Sequence, residues 1–387
     1  MKRIYLDHSA TTSVDPQVLE AMLPYFSEKF GNASSVHSFG QEARGAVDNS
    51  RHAIAEFLNC KSTEIIFTSG GSESDNLAIK GVVEESEIEK PHVVTSSFEH
   101  HAVLDTIKEL ELDGKIEVTF INPNKDGLIE VKDIEAAIKP NTVLVSIMYV
   151  NNEIGTVQPI RAIGQMLEKL NKEREQKVYF HADAVQAAEY FDMNVDTLHV
   201  DLLTMSAHKI YGPKGIGLLY VRSDVPIKHQ IVGGGQEYKK RAGTENVAGI
   251  VGFAKAVELI EESRNQGIKE KRDRLIDGLL KIPNSQLNGS KEFRSPANVN
   301  ISFINAEGEA ILLNLDMEGI AASTGSACTS GSLEPSHVLL SLGLKPEQCH
   351  GSIRFTLGRE TIEDEIDSVL EIMPDIIEKL RKMSPFN

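Results

Sequence analysis

The chain has 387 residues, 41% hydrophobic and 25% charged, an ordinary composition for a folded protein of two to three domains at roughly 150 residues each. Forty Lys and Arg stand against 57 Asp and Glu, and the resulting charge of −17 disfavours general binding to phosphate backbones or anionic lipid heads. Three far-apart cysteines (Cys60, Cys328, Cys349) without a C-x-x-C pair exclude a disulfide framework and the usual Cys-rich zinc sites.

The opening MKRIYLDHSATT has no apolar core of a leader, and no stretch approaches about 18 unbroken apolar residues, so a cytoplasmic location is expected. Residues 41–58 predict a helix with Val47, Ser50, Ile54, Phe57 and Leu58 on one face. Strands are then predicted over 65–68, 93–95, 118–121, 143–147, 178–180, 202–205 and 216–221. Most are nearly all apolar, as strands covered on both faces by helices must be. Helical patterns such as 101–112 and 160–172 lie between them, and that alternation predicts an α/β layer with a largely parallel sheet. From 282 to 305 the chain is punctuated by Pro283, Asn284, Gly289 and Pro296. Apolar runs follow at 299–303 and 311–315, then a small-residue stretch, then another apolar run at 353–357. Residues 362–383 predict a helix, broken or kinked at Pro374. The organisation expected is a large α/β domain over 16–255 and a smaller α+β domain over 256–387.

Ligands of an open parallel sheet bind beyond the carboxyl ends of its strands, so the polar residues just after each strand carry the functional signal. Ser69-Gly70-Gly71-Ser72-Glu73 follows the first strand: the glycines let a backbone approach an anion and a helix start can hold it. A plain glycine turn with Ser72 as N-cap reads equally well. His100 and His101 follow the second strand, as a surface pair or as an imidazole facing a bound ring. Asn151 and Asn152 suit a carboxylate or hydroxyl, or simply a turn. Asp183 follows a buried strand, where an unpaired charge is costly and a protonated heterocyclic nitrogen would serve as partner. Lys209 sits at the end of another buried strand, either snorkelling to water or acting as an amine that forms a Schiff base. An anion loop, an acid for a ring nitrogen and a Schiff-base lysine are together the three requirements of pyridoxal phosphate.

Cys328 lies in Ser323-Thr324-Gly325-Ser326-Ala327-Cys328-Thr329-Ser330-Gly331-Ser332, a stretch with only small side chains. No core can be built from it, so the thiol is expected on a surface loop as a nucleophile. Cys60 and Cys349 read as structural.

The chain resembles the cysteine desulfurases of the NifS/IscS type, within the class V aminotransferases. The resemblance runs along nearly its whole length. It is carried by Tyr5-Leu6-Asp7, Ala10-Thr11-Thr12, Ser72-Glu73-Ser74-Asp75-Asn76, Glu99-His100, Asn151-Asn152-Glu153, Asp183-Ala184-Val185-Gln186, Ser206-Ala207-His208-Lys209, Gly233-Gly234-Gly235-Gln236-Glu237, Gly243-Thr244, Ser326-Ala327-Cys328-Thr329-Ser330 and Ile353-Arg354-Phe355. It implies a large domain with a mostly parallel sheet binding pyridoxal phosphate, a smaller C-terminal domain carrying the cysteine loop 323–335, and an N-terminal arm, 1–15, joining the latter.

The resemblance also implies roles. Lys209 would hold the cofactor and shuttle protons, Asp183 would pair with the ring nitrogen, and Gln186 would contact the ring hydroxyl. His100 would stack on the ring and act as acid or base. Gly71, Ser72, Ser206 and His208 would form the phosphate site, with Thr244 supplied by the second subunit of a homodimer. Asn152 and Arg354 would bind the substrate carboxylate, Arg354 as a bidentate fork. Cys328 would take sulfur from L-cysteine as a persulfide, releasing L-alanine. The sulfur then passes to acceptor proteins such as an iron-sulfur scaffold. Neither nucleic acid nor membrane is an expected partner, and no metal site is expected beyond a transient cluster on Cys328. His101 stands where the family commonly has Lys, and no role is assigned to it.

Overall fold

A computed structural model describes residues 3–324 and 334–383 of the chain. Twelve strands are present among the described residues: β1 (Ile4–Tyr5), β2 (Ile65–Thr68), β3 (His92–Ser96), β4 (Glu117–Ile121), β5 (Thr142–Ser146), β6 (Tyr179–Asp183), β7 (Leu202–Ser206), β8 (Gly217–Val221), β9 (Ser285–Leu287), β10 (Asn298–Phe303), β11 (Ile320–Ala321) and β12 (Ser352–Thr356). Seven of them form the central sheet in the order β2-β8-β7-β6-β5-β3-β4. Neighbours from β7 across to β4 run parallel. β8 alone is reversed, antiparallel to both β7 and β2. The reason is chain length: a parallel return needs a crossover of a dozen or more residues, and only 207–216 separate β7 from β8.

Helices cover both faces. Ser38–Leu58 buries Ala43, Val47, Ile54 and Leu58 and ends at Asn59 in the left-handed conformation, φ 54°. Its side chains join β2, β7 and the helix Val247–Glu258 in the largest apolar cluster. The opposite face packs Ile66, Val93, Leu144 and Leu219 against Leu77, Ile79, Val103 and Ile107. All residues of β2, β3, β5, β7 and β8 are buried, whereas β4 at the sheet edge is mostly half-buried and carries Glu117 and Thr119.

A separate apolar cluster gathers Ile4 and Leu6 with Leu275, Val299, Phe303, Ile311, Ile353, Phe355, Ile366 and Met373. β10 lies between β12 and β9, antiparallel to both, and β1 pairs in parallel with β11. The run 311–315 lies within the helix Gly308–Met317. The expected break at Pro374 does not occur: the helix Glu363–Met383 is continuous across it. Proline removes one backbone N–H, but Val369, Met373, Ile376 and Ile377, buried in one cluster, hold both halves to the same surface. No helix among the described residues is long and apolar enough to cross a membrane.

Candidate active site

The carboxyl ends of the parallel strands converge on a cavity of about 330 Å³, within the range of small-molecule sites. After β2 the helix Gly71–Glu85 begins with Gly70, not Ser72, at its cap position. Ser72 is therefore the second helical residue, and Glu73 folds back to accept from the Ser69 N–H at 2.8 Å. Gly71 is closely packed, since a Cβ there would meet Val185 Cγ2 at 3.0 Å. The helix start is thus pressed against the turn that follows Asp183.

Asp183 ends β6, 6% exposed, with Oδ1 accepting from the Val185 N–H at 3.0 Å. Burial pushes its carboxyl up, against the Val185 N–H and the Lys209 ammonium, which pull it down. Two further buried acids, Asp75 and Glu99, interact with it by charge, each with one carboxyl oxygen lacking a hydrogen-bond partner. Asp75 is raised by burial and by Asp183, and Glu99 is pushed up to about 8, chiefly by burial. Asp75 and Asp183 line the cavity, and Glu99, which does not, is linked to both by charge.

Lys209 follows β7 in the short helical turn Ala207–Lys209, and its Nζ donates to the carbonyls of Ser9 (2.5 Å) and Ala10 (2.8 Å). The N-terminal arm therefore orients the amine. His208 Nδ1 lies 3.1 Å from Thr11 Oγ1, and Gln186 Nε2 donates to the Ser9 carbonyl at 2.9 Å. His100 caps the helix His101–Leu112, its Nδ1 accepting from the Ala102 N–H at 3.1 Å. Burial, then Lys209, brings its pKa down to about 4, so the ring is neutral near pH 7 with its proton on Nε2. Arg354, 3% exposed, donates from Nη2 to Asp7 Oδ1 (2.8 Å) and from Nη1 to the Asn152 carbonyl (3.0 Å). Its Nε is buried without a hydrogen-bond partner, so the fork is placed but partly engaged by protein groups.

Of the twelve residues predicted for the site, ten line this cavity: Gly71, Ser72, His100, Asn152, Asp183, Gln186, Ser206, His208, Lys209 and Arg354. Thr244 is exposed and does not line it. Cys328 falls outside the described residues. Cys60 and Cys349 are half-buried and buried, and burial pushes their thiols up to about 12 and about 11, which keeps them protonated. Sequence reading missed Ser9 and Ala10, which act through carbonyls and leave no side-chain signature. It also missed Asp75, whose signal was available: a carboxylate on the apolar helix face of Ala78, Ile79 and Val82.

The donor set fits pyridoxal phosphate. A protonated ring nitrogen answers the buried Asp183, hydroxyls and a helix N-terminus answer a phosphate, and the Lys209 amine on the same wall answers the aldehyde. Among the described residues no group of three or more His, Cys, Asp or Glu could hold a metal ion.

The buried acids carry a measurable consequence. Glu99 stays protonated in the fold up to about 8, whereas an ordinary Glu ionises near 4.5. Between those values the folded state binds the extra proton, so rising pH removes about 1.4 kcal/mol of stability per unit from this group. Glu99→Gln has no proton to lose and is expected to flatten the pH dependence of urea unfolding over that window. Parallel curves for the two proteins would show Glu99 already ionised in the fold.

A family model described as Aminotransferase class-V matches residues 4–369. A curated relative, the cysteine desulfurase IscS of Clostridium botulinum (strain Hall), is 50% identical over 390 residues, covering 99% of this chain and 96% of the relative. A solved NifS-like protein superposes with a TM-score of 0.91 at 36% identity, covering 98% of this chain and 100% of that one. A structure described as SspA in complex with cysteine gives 0.82 at 37% identity, over 93% and 100% of the two chains.

Proposed function

The chain belongs to the class-V aminotransferase family and, within it, to the cysteine desulfurases; from that premise we propose that its cavity binds pyridoxal phosphate and L-cysteine and that Cys328 receives the sulfur. The observation that carries the reading is the convergence of Lys209, Asp183 and the helix start at Gly71 and Ser72 on one cavity, with Arg354 and Asn152 also on its wall.

Bound pyridoxal phosphate supplies an electron sink for the pair released when the Cα–H bond of the substrate breaks. Lys209 Nζ would hold the aldehyde, and its amine would take the proton from Cα. Asp183 would keep the ring nitrogen protonated. Gly71, Ser72, Ser206 and His208 would hold the phosphate, and Gln186 would serve the ring hydroxyl. His100 would stack on the ring and, neutral with its proton on Nε2, would donate at that atom. Arg354 and Asn152 orient the substrate carboxylate. The Cβ–S bond breaks, Cβ gains a proton, and the Cys328 thiolate forms an S–S bond to the departing sulfur. L-Cysteine plus thiol thus becomes L-alanine plus persulfide: sulfur is oxidised, carbon is reduced, and no further oxidant is needed.

Support for a homodimer comes from an exposed apolar face, Leu23, Phe26, Phe30, Val36 and Phe39, and from Thr244, exposed and free to serve a neighbouring copy. The two apolar clusters support a large domain over 16–255, a small one over 256–387 and an arm over 1–15 whose Ile4 and Leu6 pack in the latter, although Val338, Leu339, Leu342 and Cys349 join the large cluster. A cytoplasmic sulfur donor for acceptor proteins, including an iron-sulfur scaffold, follows from the same reading.

Purified protein incubated with L-cysteine and a thiol reductant, which frees sulfide from the persulfide, is expected to absorb as a lysine-bound cofactor, release alanine and sulfide in step, and have the solution mass of two chains. A colourless protein that releases no alanine would defeat the reading, and a one-chain mass would defeat the dimer.

A further inference from the structure

Resting on the assignment of Cys328 as sulfur acceptor, the described residues on either side of it reveal how the ends of its segment are held. Upstream, Ser323 and Arg354 exchange backbone hydrogen bonds, 3.1 Å and 2.6 Å, five residues before Cys328. Downstream, eight residues after it, Ser336 opens the helix His337–Ser341. The Ser336 hydroxyl accepts from the Leu339 N–H at 3.2 Å and donates to Glu153 Oε2 at 2.5 Å.

Glu153 is 4% exposed and adjoins Asn152. Its backbone is fixed on three sides: its N–H donates to Asn151 Oδ1 (2.9 Å), and its carbonyl accepts from Asn298 Nδ2 (3.1 Å) and Asn300 Nδ2 (3.0 Å). A buried carboxyl is costly, and burial pushes this one up to about 7. The hydrogen bond from the Ser336 hydroxyl works against that cost and ties the carboxyl to the start of the helix His337–Ser341.

The next residue makes a second contact. His337 Nε2 lies 2.9 Å from the Glu99 carbonyl, beside His100, and its ring faces His101 with centroids 4.8 Å apart. His101 is itself held by Asp105 at 3.1 Å. The Ser336-His337 pair thus touches both turns that present Asn152 and His100 to the cavity.

We propose that Ser336 and His337 form a two-point anchor, on Glu153 and on the Glu99-His101 turn, that fixes the downstream end of the Cys328 segment relative to the substrate site. Glu153 and His101 are then positioning residues, acting through the segment and not on the reacting atoms. The physical benefit is a raised effective concentration of the thiol. With an extended chain spanning at most about 3.5 Å per residue, fixing both ends confines where Cys328 can reach.

The test compares holoenzymes carrying Glu153→Ala, Ser336→Ala, both together, Glu153→Gln and His337→Ala. Each is followed by cofactor absorbance, the spectral change on adding L-cysteine, KM, and the single-turnover rate of persulfide formation on Cys328 by mass spectrometry. Expected for Glu153→Ala and Ser336→Ala is a persulfide rate lower by about tenfold, as for a nucleophile displaced from its reacting distance. Cofactor absorbance, the spectral change and KM stay near wild type. The double variant is expected to be no slower than either single one, because both remove one contact. Glu153→Gln keeps an acceptor oxygen and restores the rate, and His337→Ala reproduces the same separation of rate from KM.

Unchanged persulfide rates in Glu153→Ala and Ser336→Ala would overturn the anchor. So would multiplying losses in the double variant, or a loss of cofactor absorbance that parallels the loss of rate. A wild-type enzyme that forms no persulfide on Cys328 would instead remove the functional reading and the anchor with it, and that single arm reports it.

Discussion

Cys328→Ser is expected to keep the absorbance of the lysine-bound cofactor and to bind L-cysteine, while persulfide and sulfide output fall by roughly a thousandfold or more. The expectation follows from thiol chemistry. A serine hydroxyl remains protonated where a cysteine is partly thiolate, and oxygen cannot take a sulfur atom into a stable persulfide. No other thiol stands ready to substitute. Burial pushes Cys60 up to about 12 and Cys349 up to about 11, which holds both as unreactive thiols. The described residues that line the cavity all lie elsewhere in the chain and are left in place by the change. Binding and sulfur transfer should therefore separate: stopped-flow spectra would report L-cysteine entering the site, and mass spectrometry would find no added sulfur on the chain. Normal sulfide output from Cys328→Ser would reject Cys328 as the acceptor.

The positions of the central strands were legible because strands buried on both faces are written as short continuous apolar runs. The same rule hid their ends. β6 was expected over 178–180 but extends to Asp183, since His181 and Asp183 break the apolar run. The structure accommodates His181 in full burial through Ser146 (2.9 Å) and Thr204 (3.1 Å) on the flanking strands β5 and β7. The site was legible where it depends on side chains that follow strands, because the parallel sheet brings those ends together whatever lies between them. It was illegible where recognition uses backbone or distant pairs. Nothing in Ser9-Ala10 announces that their carbonyls will hold Lys209. The Ser336–Glu153 hydrogen bond joins residues 183 positions apart. Thr244, expected from the resemblance alone, is exposed and does not line the cavity.

Lys209→Ala removes the amine on which His100 and Asp183 depend, and its expected effects are larger than a missing contact. Without Nζ the cofactor has no lysine to bond, so the absorbance of the bound form should shift to that of the free aldehyde, and borohydride should no longer fix the cofactor to the chain. The proton transfer at Cα loses its base, a change worth roughly 10²–10⁴-fold in rate. Two electrostatic consequences accompany this. Lys209 is the largest charge holding His100 down, second only to burial, so the His100 pKa should rise from about 4. It also pulls the Asp183 carboxyl down against burial, so that carboxyl should rise further. Both shifts run toward protonation, as removing a nearby cation requires. The His100 shift is readable without turnover, by following its imidazole resonance with pH. An unchanged absorbance, with borohydride labelling a different lysine, would overturn the assignment of Lys209. A His100 resonance that titrates as in wild type would show that Lys209 does not hold its charge down.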